Sequence, residues 1–390
     1  MRRFQTPLLL LLALGLLAGS PVQAQGASAS AAAPAVSPAL ARVSAPAEVH
    51  PSQNRLTPYR PRLGRSKPLV AIVAENYYTE LTDYVLPYGV LSAAGVAEVQ
   101  ALATQPGPIR MFPAPMNVEP QATTARFDQE HPEGADYVIV PAVHKDDDPA
   151  LLAWVKSQAA KGATIVGVCD GVWVLARAGL LDGRRATGHW YSREDLRKKF
   201  PQVQWQQQLR YVEDGRVITT TGVSATIPVS LALVEAMAGT ERATQLAREL
   251  GGAGMAWSAQ HPSERFQMSW KHKLTIGGNA IAFWSHEDVG IPVDQGVDEI
   301  ALALKAEVYS ATYRSTALAV APRPGLVKSR RGLSIVPDRV MGTDAPRRML
   351  SAPDANEPLQ ALDQALKGIA SDYGPRTAAW VALQMEYPGY

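Results

Sequence analysis

Residues 163–177 read Ala-Thr-Ile-Val-Gly-Val-Cys-Asp-Gly-Val-Trp-Val-Leu-Ala-Arg and decide the fold, because they place the only cysteine of the chain where an apolar strand meets a helix. A thiol at a helix N-terminus faces unpaired backbone N–H groups and the positive end of the helix dipole. Both favour the thiolate, so we expect the pKa of Cys169 to lie below that of a free cysteine. Gly167 and Gly171 flank the cysteine and permit the tight turn of a nucleophile elbow.

Apolar strands alternate with helices on both sides of this turn. Strands are predicted over 69–74, which has the continuous apolar run of a strand buried on both faces, and over 137–141 and 164–168. A helix is predicted over 80–94 and an amphipathic helix over 149–160. The alternation predicts an α/β fold with a doubly wound, mostly parallel sheet. Ligands bind beyond the carboxyl ends of the strands in such sheets, and Cys169 lies at such an end.

The rest of the chain gives weaker patterns. Residues 251–290 show no clear periodicity, and the sequence contains no convincing internal repeat. We predict a C-terminal α/β extension, which either forms a separate domain or wraps the core. The further strands are predicted over 96–102, 109–112, 216–221, 316–320 and 332–336, and the further helices over 227–237, 297–312, 359–369 and 376–385.

The N-terminus has the composition of a cleavable signal peptide. Basic residues precede the apolar run 8–18, which is too short to span a bilayer, and small residues follow it. We therefore expect a periplasmic or secreted protein with no stable membrane insertion after cleavage. The predicted regions are a signal peptide (1–24), an Ala/Pro/Ser-rich linker (25–67), the main domain (68–250) and the C-terminal extension (251–390).

Charge and motifs narrow the possible partners. With 38 basic and 36 acidic residues the chain is nearly neutral and has no basic stripe, so no nucleic-acid partner is expected. The sequence has no phosphate-binding loop, and no zinc-ligand spacing includes the single cysteine, so neither a cofactor nor a metal is expected. A lone cysteine in an oxidising compartment is either an inert buried thiol or a reactive one.

Three segments of the sequence resemble the same protein family. The helix that begins at Pro149, the elbow at Cys169 and the run Ala-Gly-Leu-Leu-Asp-Gly-Arg-Arg-Ala-Thr-Gly-His-Trp over 178–190 resemble the PfpI superfamily of class I glutamine-amidotransferase-like proteins. The branch most similar includes isonitrile hydratases and the sensor domains of transcription regulators. The resemblance implies a flavodoxin-like fold, a small-molecule ligand or substrate and a possible homodimer.

The resemblance also implies partners for the thiol. Glu80 stands seven residues before Pro87, where relatives carry an acid that contacts the cysteine, and Asp83 matches a second acid of the hydratase branch. Each could instead be an ordinary charge at a helix N-terminus. His189 belongs to the His-Trp pair of the motif and is expected either to act as a base or to hold the loop.

Backbone N–H groups would form the oxyanion hole of an enzyme of this kind. We expect one from Asp170, which follows the nucleophile, and the other from Ala142 or Val143 after the preceding strand. Three positions depart from the family pattern: Ala142-Val143 replace glycines, Asp170 replaces a threonine, and Pro228 replaces an aspartate. An anion at Asp170 opposes the thiolate.

These residues leave three functions open. The first is an exported cysteine-dependent hydrolase or lyase that attacks a small amide, nitrile-like or carbonyl compound through Cys169. The second is a non-catalytic ligand-binding or sensor domain of the same fold. The third is a redox-sensing thiol, because an accessible cysteine of low pKa oxidises readily.

Overall fold

The computed structural model describes residues 55–260, 265–342 and 344–387. The predicted signal peptide (1–24) and the predicted linker as far as residue 54 lie outside the described residues. The helices of the described part include none that is long and apolar enough to cross a membrane.

Strands and helices alternate along the described chain. The strands are β1 (Leu69–Ala74), β2 (Thr79–Glu80), β3 (Glu98–Ala103), β4 (Ile109–Phe112), β5 (Asn117–Glu119), β6 (Ala122–Thr123), β7 (Tyr137–Val140), β8 (Thr164–Gly167), β9 (Arg185–Ala186), β10 (Gln204–Trp205), β11 (Tyr211–Asp214), β12 (Val217–Thr220), β13 (Glu287–Pro292), β14 (Ser315–Ala321), β15 (Val327–Lys328), β16 (Ser334–Val336), β17 (Arg339–Val340) and β18 (Arg348–Met349). The helices are α1 (Leu81–Ala94), α2 (Thr124–Glu130), α3 (Pro149–Ala160), α4 (Gly171–Arg177), α5 (Arg193–Lys199), α6 (Val223–Ala238), α7 (Thr240–Glu249), α8 (Trp270–Ile281), α9 (Glu299–Ser310), α10 (Ala361–Tyr373) and α11 (Pro375–Gln384), with short 3₁₀ turns at Phe283–Ser285 and Pro358–Gln360.

The main sheet confirms the predicted α/β class. Its strand order is β11-β12-β8-β7-β1-β3-β6, and every pairing in it is parallel except that of β11 with β12. The carboxyl ends of β1, β7 and β8 therefore lie at one edge of the sheet. Glu75, Pro141 and Val168 follow those ends directly, and the elbow cysteine comes next.

Both faces of the main sheet are covered, as the continuous apolar runs predict. All six residues of β1 are buried. Val70, Ile72 and Ala74 belong to the core on one face, whereas Leu69, Ala71 and Val73 belong to the core on the other. This alternation is what the two-residue period of a strand requires, and it fixes β1 in the centre of the fold.

The C-terminal extension is α/β, as expected, and it wraps the main domain. Strands β17-β14-β13-β18 form a second parallel sheet. A third sheet, β15-β16-β5-β4-β2, mixes strands of the extension with strands of the main domain, and α9 packs on α1. The predicted strand 109–112 lies in this third sheet and not in the main one.

The predicted linker ends earlier than residue 67. Leu56 is buried in the core, and the Tyr59 N–H donates to the Ala236 carbonyl over 2.8 Å. Arg62 and Arg65 form ion pairs with Asp136, whose carboxylate is buried. Residues 55–67 are therefore part of the folded structure. The content of alanine, proline and serine predicted a flexible linker. Composition alone could not show that Arg62 and Arg65 pair with the buried Asp136.

Candidate functional site

The elbow has the backbone that its glycines predict. Cys169 has a φ of 54°, a left-handed conformation that is uncommon outside glycine and marks strain at functional sites. A Cβ at Gly171 would lie 2.1 Å from the carbonyl oxygen of Val140, so only glycine fits there. The Cys169 N–H donates to Thr220 Oγ1 over 3.1 Å and ties the turn to strand β12.

The sulfur lies in an acidic crevice. Cys169 is 8 % exposed, and among the described residues no hydrogen bond reaches its thiol. The charges that act on it are carboxylates: Asp83, Asp170, Glu80 and Glu386, in decreasing order of effect. We use the term acidic crevice for Cys169, these four residues and Glu307.

Glu80 and Asp83 lie at the start of α1, on the face turned toward the elbow. Glu80 is the N-cap of the helix: its carboxylate accepts from the Asp83 N–H and from Thr82 Oγ1. Asp83 Oδ2 accepts from the backbone N–H of Ala142 over 3.1 Å. Both side chains are buried, Asp83 completely. Neither is the solvated surface charge that the sequence left open.

Glu307 is the member of the crevice that sequence reasoning missed. It lies in α9 of the C-terminal extension, is buried, and shares a hydrogen bond with Glu80. Its Oε2 has no hydrogen-bond partner in the described structure. No motif marks Glu307, because its position depends on how the extension folds back onto α1.

His189 does not contact the thiol through a hydrogen bond. Its Nε2 lies 3.2 Å from the carbonyl oxygen of Gln384, beyond the last turn of α11. The neighbouring Trp190 N–H donates to Glu386, which also accepts from the Gly222 N–H. The His-Trp pair therefore anchors the C-terminal residues over the crevice, and the loop-holding alternative fits this geometry.

The expected oxyanion donors are only partly available. The Ala142 N–H is already bound to Asp83, so a substrate oxygen could use it only by displacing that carboxylate. Val143 is buried and forms an isolated bridge with Thr79. Asp170 stands at the N-cap of α4, and its Oδ2 accepts from Ser192 Oγ over 2.8 Å.

Electrostatics reverse the expected protonation of the cysteine. Burial, followed by the charge of Asp83, raises the pKa of Cys169 well above its ordinary value. The dipole of α4, a helix of only two turns, does not offset removal of a thiolate from water beside several carboxylates. The expectation of a lowered cysteine pKa is thus wrong, because the sequence did not show how deeply the sulfur and its acids are buried.

Burial raises the pKa of carboxyl groups in the crevice as well. Burial raises the pKa of Glu307 well above its ordinary value, and the Glu80 carboxylate adds to that shift. Burial and the charge of Glu80 likewise raise the pKa of Asp83. Such a cluster can hold protons at neutral pH that isolated carboxyls would release.

Several buried polar side-chain atoms have no hydrogen-bond partner in the described structure, and two of them belong to the crevice. They include Asp170 Oδ1, Glu307 Oε2, Thr221 Oγ1 and Gln384 Oε1. Buried polar atoms without partners are rare in native proteins, and a bound water or ligand is one explanation. No cluster of His, Cys, Asp and Glu suited to a metal ion occurs in the described part of the chain.

A model of the DJ-1/PfpI family matches residues 69–236, the segment that carries the main sheet and the elbow. Those residues form a DJ-1/PfpI domain. The resemblance of the sequence to the PfpI superfamily is therefore confirmed. The match ends before Glu307 and Glu386, so two of the five acids in the crevice come from outside the family segment.

Curated relatives match parts of this DJ-1/PfpI domain. The HTH-type transcriptional regulator CdhR of Pseudomonas aeruginosa is 39 % identical over 101 residues, which are 26 % of this chain and 30 % of the regulator. The isonitrile hydratase of Pseudomonas putida is 36 % identical over 97 residues, 25 % of this chain and 41 % of the hydratase. The chain thus spans less than half the length of either relative. Because regulators are among the relatives, the comparison does not support excluding a nucleic-acid partner.

Solved structures similar to the DJ-1/PfpI domain include two of the same family. The ThiJ/PfpI family protein from Pseudomonas syringae has a TM-score of 0.42 at 23 % identity and covers 49 % of this chain and 80 % of its own. Drosophila melanogaster DJ-1beta has a TM-score of 0.42 at 18 % identity, with 47 % of this chain and 96 % of its own covered.

Proposed function

We propose that this protein is a non-catalytic ligand-binding or sensor protein built on a DJ-1/PfpI domain. The observation that carries the proposal is the state of Cys169: in the described structure its buried thiol has no hydrogen bond to a base, and burial, followed by the charge of Asp83, raises its pKa well above the ordinary value. A thiol is a poor nucleophile until it loses its proton. The regulators among the relatives support the same interpretation.

The ligand class follows from the acceptors in the crevice. Glu80, Asp83 and Glu307 offer carboxyl oxygens, and no lysine or arginine forms an ion pair with them in the described structure. A small molecule that carries hydrogen-bond donors, or a positive charge, would satisfy the unpartnered oxygens.

We also propose that the protein is exported from the cytoplasm. The basic start and the apolar run 8–18 support a signal peptide, and we propose a periplasmic or secreted protein on that ground. A sensor there would bind its ligand outside the cytoplasm. A redox-sensing role has less support, because a buried protonated thiol oxidises slowly.

A cysteine-dependent hydrolase or lyase is the second candidate. It is favoured by the strained φ of Cys169, by the two acids beside it and by the 36 % identity to the isonitrile hydratase. The reaction would need a group that takes the thiol proton. Glu80 and Asp83 are the candidate bases, and burial raises the pKa of both.

Alkylation of Cys169 across pH separates the two candidates. The native protein, whose only cysteine is Cys169, is treated with iodoacetamide between about pH 6 and pH 10, and the denatured protein provides the reference, with a thiol pKa of about 8.5. We expect Cys169 to be labelled far more slowly in the native protein than in the denatured protein at pH 7. We also expect the labelling rate of the native protein to increase only at a higher pH than that of the denatured protein. Rapid labelling with a plateau at or below pH 7 would show a primed thiolate and favour the enzyme.

Ligand binding is checked without the thiol. Thermal unfolding of the wild type and of Cys169→Ser is followed with a panel of small amines, amides and nitriles. A ligand at 100 times its Kd stabilises a protein by about 2.7 kcal/mol, so a binder shifts the Tm clearly. The proposal expects the same shift in both proteins, and consumption of a panel member by the wild type alone would contradict it.

A further inference from the structure

The C-terminal extension repeats the start of the DJ-1/PfpI domain element by element. Apart from the short β2, residues 69–123 run β1, α1, β3, β4, β5 and β6, and residues 287–340 run β13, α9, β14, β15, β16 and β17. In both units the second strand pairs in parallel with the first. The hairpin that follows returns the chain to a last strand parallel to the second.

Equivalent hydrogen bonds recur in the two units. The Gln121 N–H donates to the Ala101 carbonyl over 2.8 Å, and the Gln121 side chain accepts from the Ala101 N–H over 2.8 Å. Asp338 makes the same pair of bonds to Ala319, over 2.9 Å and 2.8 Å. In each unit the residue before the last strand is therefore fixed to the second strand by its backbone and side chain together.

The loops repeat as well. Asn76 and Gln295 both follow the first strand, and each donates from its side-chain amide to the loop beyond the second strand. Between helix and second strand, the first unit has Gly95 at a φ of 67° and the second has Tyr313 at 58°. A positive φ is uncommon for tyrosine. The two units therefore share the same backbone conformation at this turn, although their residues differ.

The two helices pack with reciprocal contacts. Glu80 at the start of α1 meets Glu307 within α9, and Ile300 at the start of α9 meets Gly89 within α1, where an added Cβ would lie 2.5 Å from Ile300 Cγ1. Glu307 and Gly89 hold the same place in their helices, and each meets the N-terminal end of the other helix. Such reciprocal contacts are what a twofold interface between like units produces.

The hairpins pack in the same reciprocal way. Strands β5 and β16 occupy equivalent places in the two units and pair antiparallel, with Val118 opposite Ile335 at the centre. The paired strands therefore lie across the same local twofold axis as the helices.

The second unit lacks a crevice of its own. It ends before any cysteine elbow, and the acids at the start of α9, Asp298 and Glu299, are paired with Arg331 at 2.9 Å and 2.7 Å. In the described structure Glu80 and Asp83 of the first unit form no ion pair with a lysine or arginine. Instead, Glu307 of the second unit lies against Glu80.

We infer that residues 287–340 are a second, shortened copy of the unit 69–123 that takes the place of a partner subunit within one chain. Another molecule of this protein then cannot pack on this face of α1 or pair with the edge of β5, because α9 and β16 already occupy them. The acidic crevice is completed by Glu307 of the same chain. This inference stands independently of the proposed function.

Disulfide trapping tests the inference in the full chain. Val118→Cys and Ile335→Cys are introduced together in a Cys169→Ser background, and each is also made alone. Opposed residues of an antiparallel pair have Cβ atoms about 4.5–5.5 Å apart, close enough for a disulfide after mild oxidation. The less buried pair Asn117→Cys and Val336→Cys provides a second double variant if the first folds poorly.

We expect each double variant to form an intramolecular disulfide that migrates as a single chain without reductant, and each single variant to stay uncrosslinked. A covalent dimer from any variant would show that these strands face another molecule and would overturn the inference. Free thiols in a folded double variant after oxidation would also overturn it, because the two strands would then not be opposed.

Discussion

At the scale of single residues, the acidic crevice is defined by burial and not by the cysteine alone. The family motif led to Cys169, Glu80 and Asp83, because their spacing can be recognised in one stretch of sequence. Glu307 could not be found that way, since it is separated from the motif by more than a whole domain and nothing in α9 distinguishes it from a surface glutamate. The elevated pKa of the thiol was also hidden, because it depends on solvent exclusion by distant segments.

Replacing Glu307 by glutamine is expected to change how stability depends on pH. Burial and Glu80 raise the pKa of Glu307 above its ordinary value of 4.5, so the folded protein retains a proton that the unfolded chain has released. Stability must therefore fall as pH rises from about 4.5 up to the raised folded pKa. Glu307→Gln stays neutral and can still donate to Glu80, so the Tm of this variant relative to that of the wild type should rise as pH increases above about 4.5.

The surface variant Glu241→Gln serves as the control for this measurement. Glu241 is exposed, so its replacement should leave the pH profile of Tm parallel to that of the wild type. If the pH profile of Tm for Glu307→Gln were also parallel to that of the wild type, the Glu307 carboxyl would have the same pKa in the folded and unfolded protein, and the prediction would be wrong.

At the scale of elements, the sequence predicted the parallel core and most of the longer elements of the extension, and it missed several short or exposed elements. Strands β1, β7 and β8 and helices α1 and α3 lie within a residue or two of their predicted bounds. The strands are short apolar runs, α1 is buried on nearly every side, and α3 buries one face. Helix α8 was missed. It buries only Ile276 and Asn279 and leaves Trp270, Leu274 and Ile281 exposed, so its apolar residues follow no core-facing period.

The elbow depends on Gly171, and its replacement by alanine should destabilise the fold. The added Cβ would lie 2.1 Å from the Val140 carbonyl oxygen, and backbone cannot move aside as a flexible side chain can. We expect a loss of about 3 kcal/mol in the free energy of unfolding, measured by urea denaturation. Gly277→Ala is the matched control: α8 leaves open space there, and a gain of about 0.5–1 kcal/mol is expected. Equal effects of the two changes would contradict the close approach at the elbow.

At the scale of the whole molecule, the extension and the DJ-1/PfpI domain are expected to unfold together. Ile300 is completely buried against α1, and β16 completes a sheet begun by β5. Chemical denaturation followed by tryptophan fluorescence and by far-UV circular dichroism should therefore give coincident single transitions. Ile300→Ala should lower the midpoint by the equivalent of about 2–5 kcal/mol in both signals, whereas the exposed Ile281→Ala should change it little. Two separate transitions, or a shift in one signal only, would show that the two parts fold independently.

The ion pairs of Asp136 with Arg62 and Arg65 have a consequence for access. Asp136 stands just before β7 and also accepts from the Leu69 N–H, so the arginines fasten the incoming chain at the amino edge of the main sheet. The cysteine lies at the carboxyl edge, one strand length or about 20 Å away. A tag, tether or immobilising bead joined ahead of residue 55 would therefore be attached at the end of the main sheet opposite to Cys169.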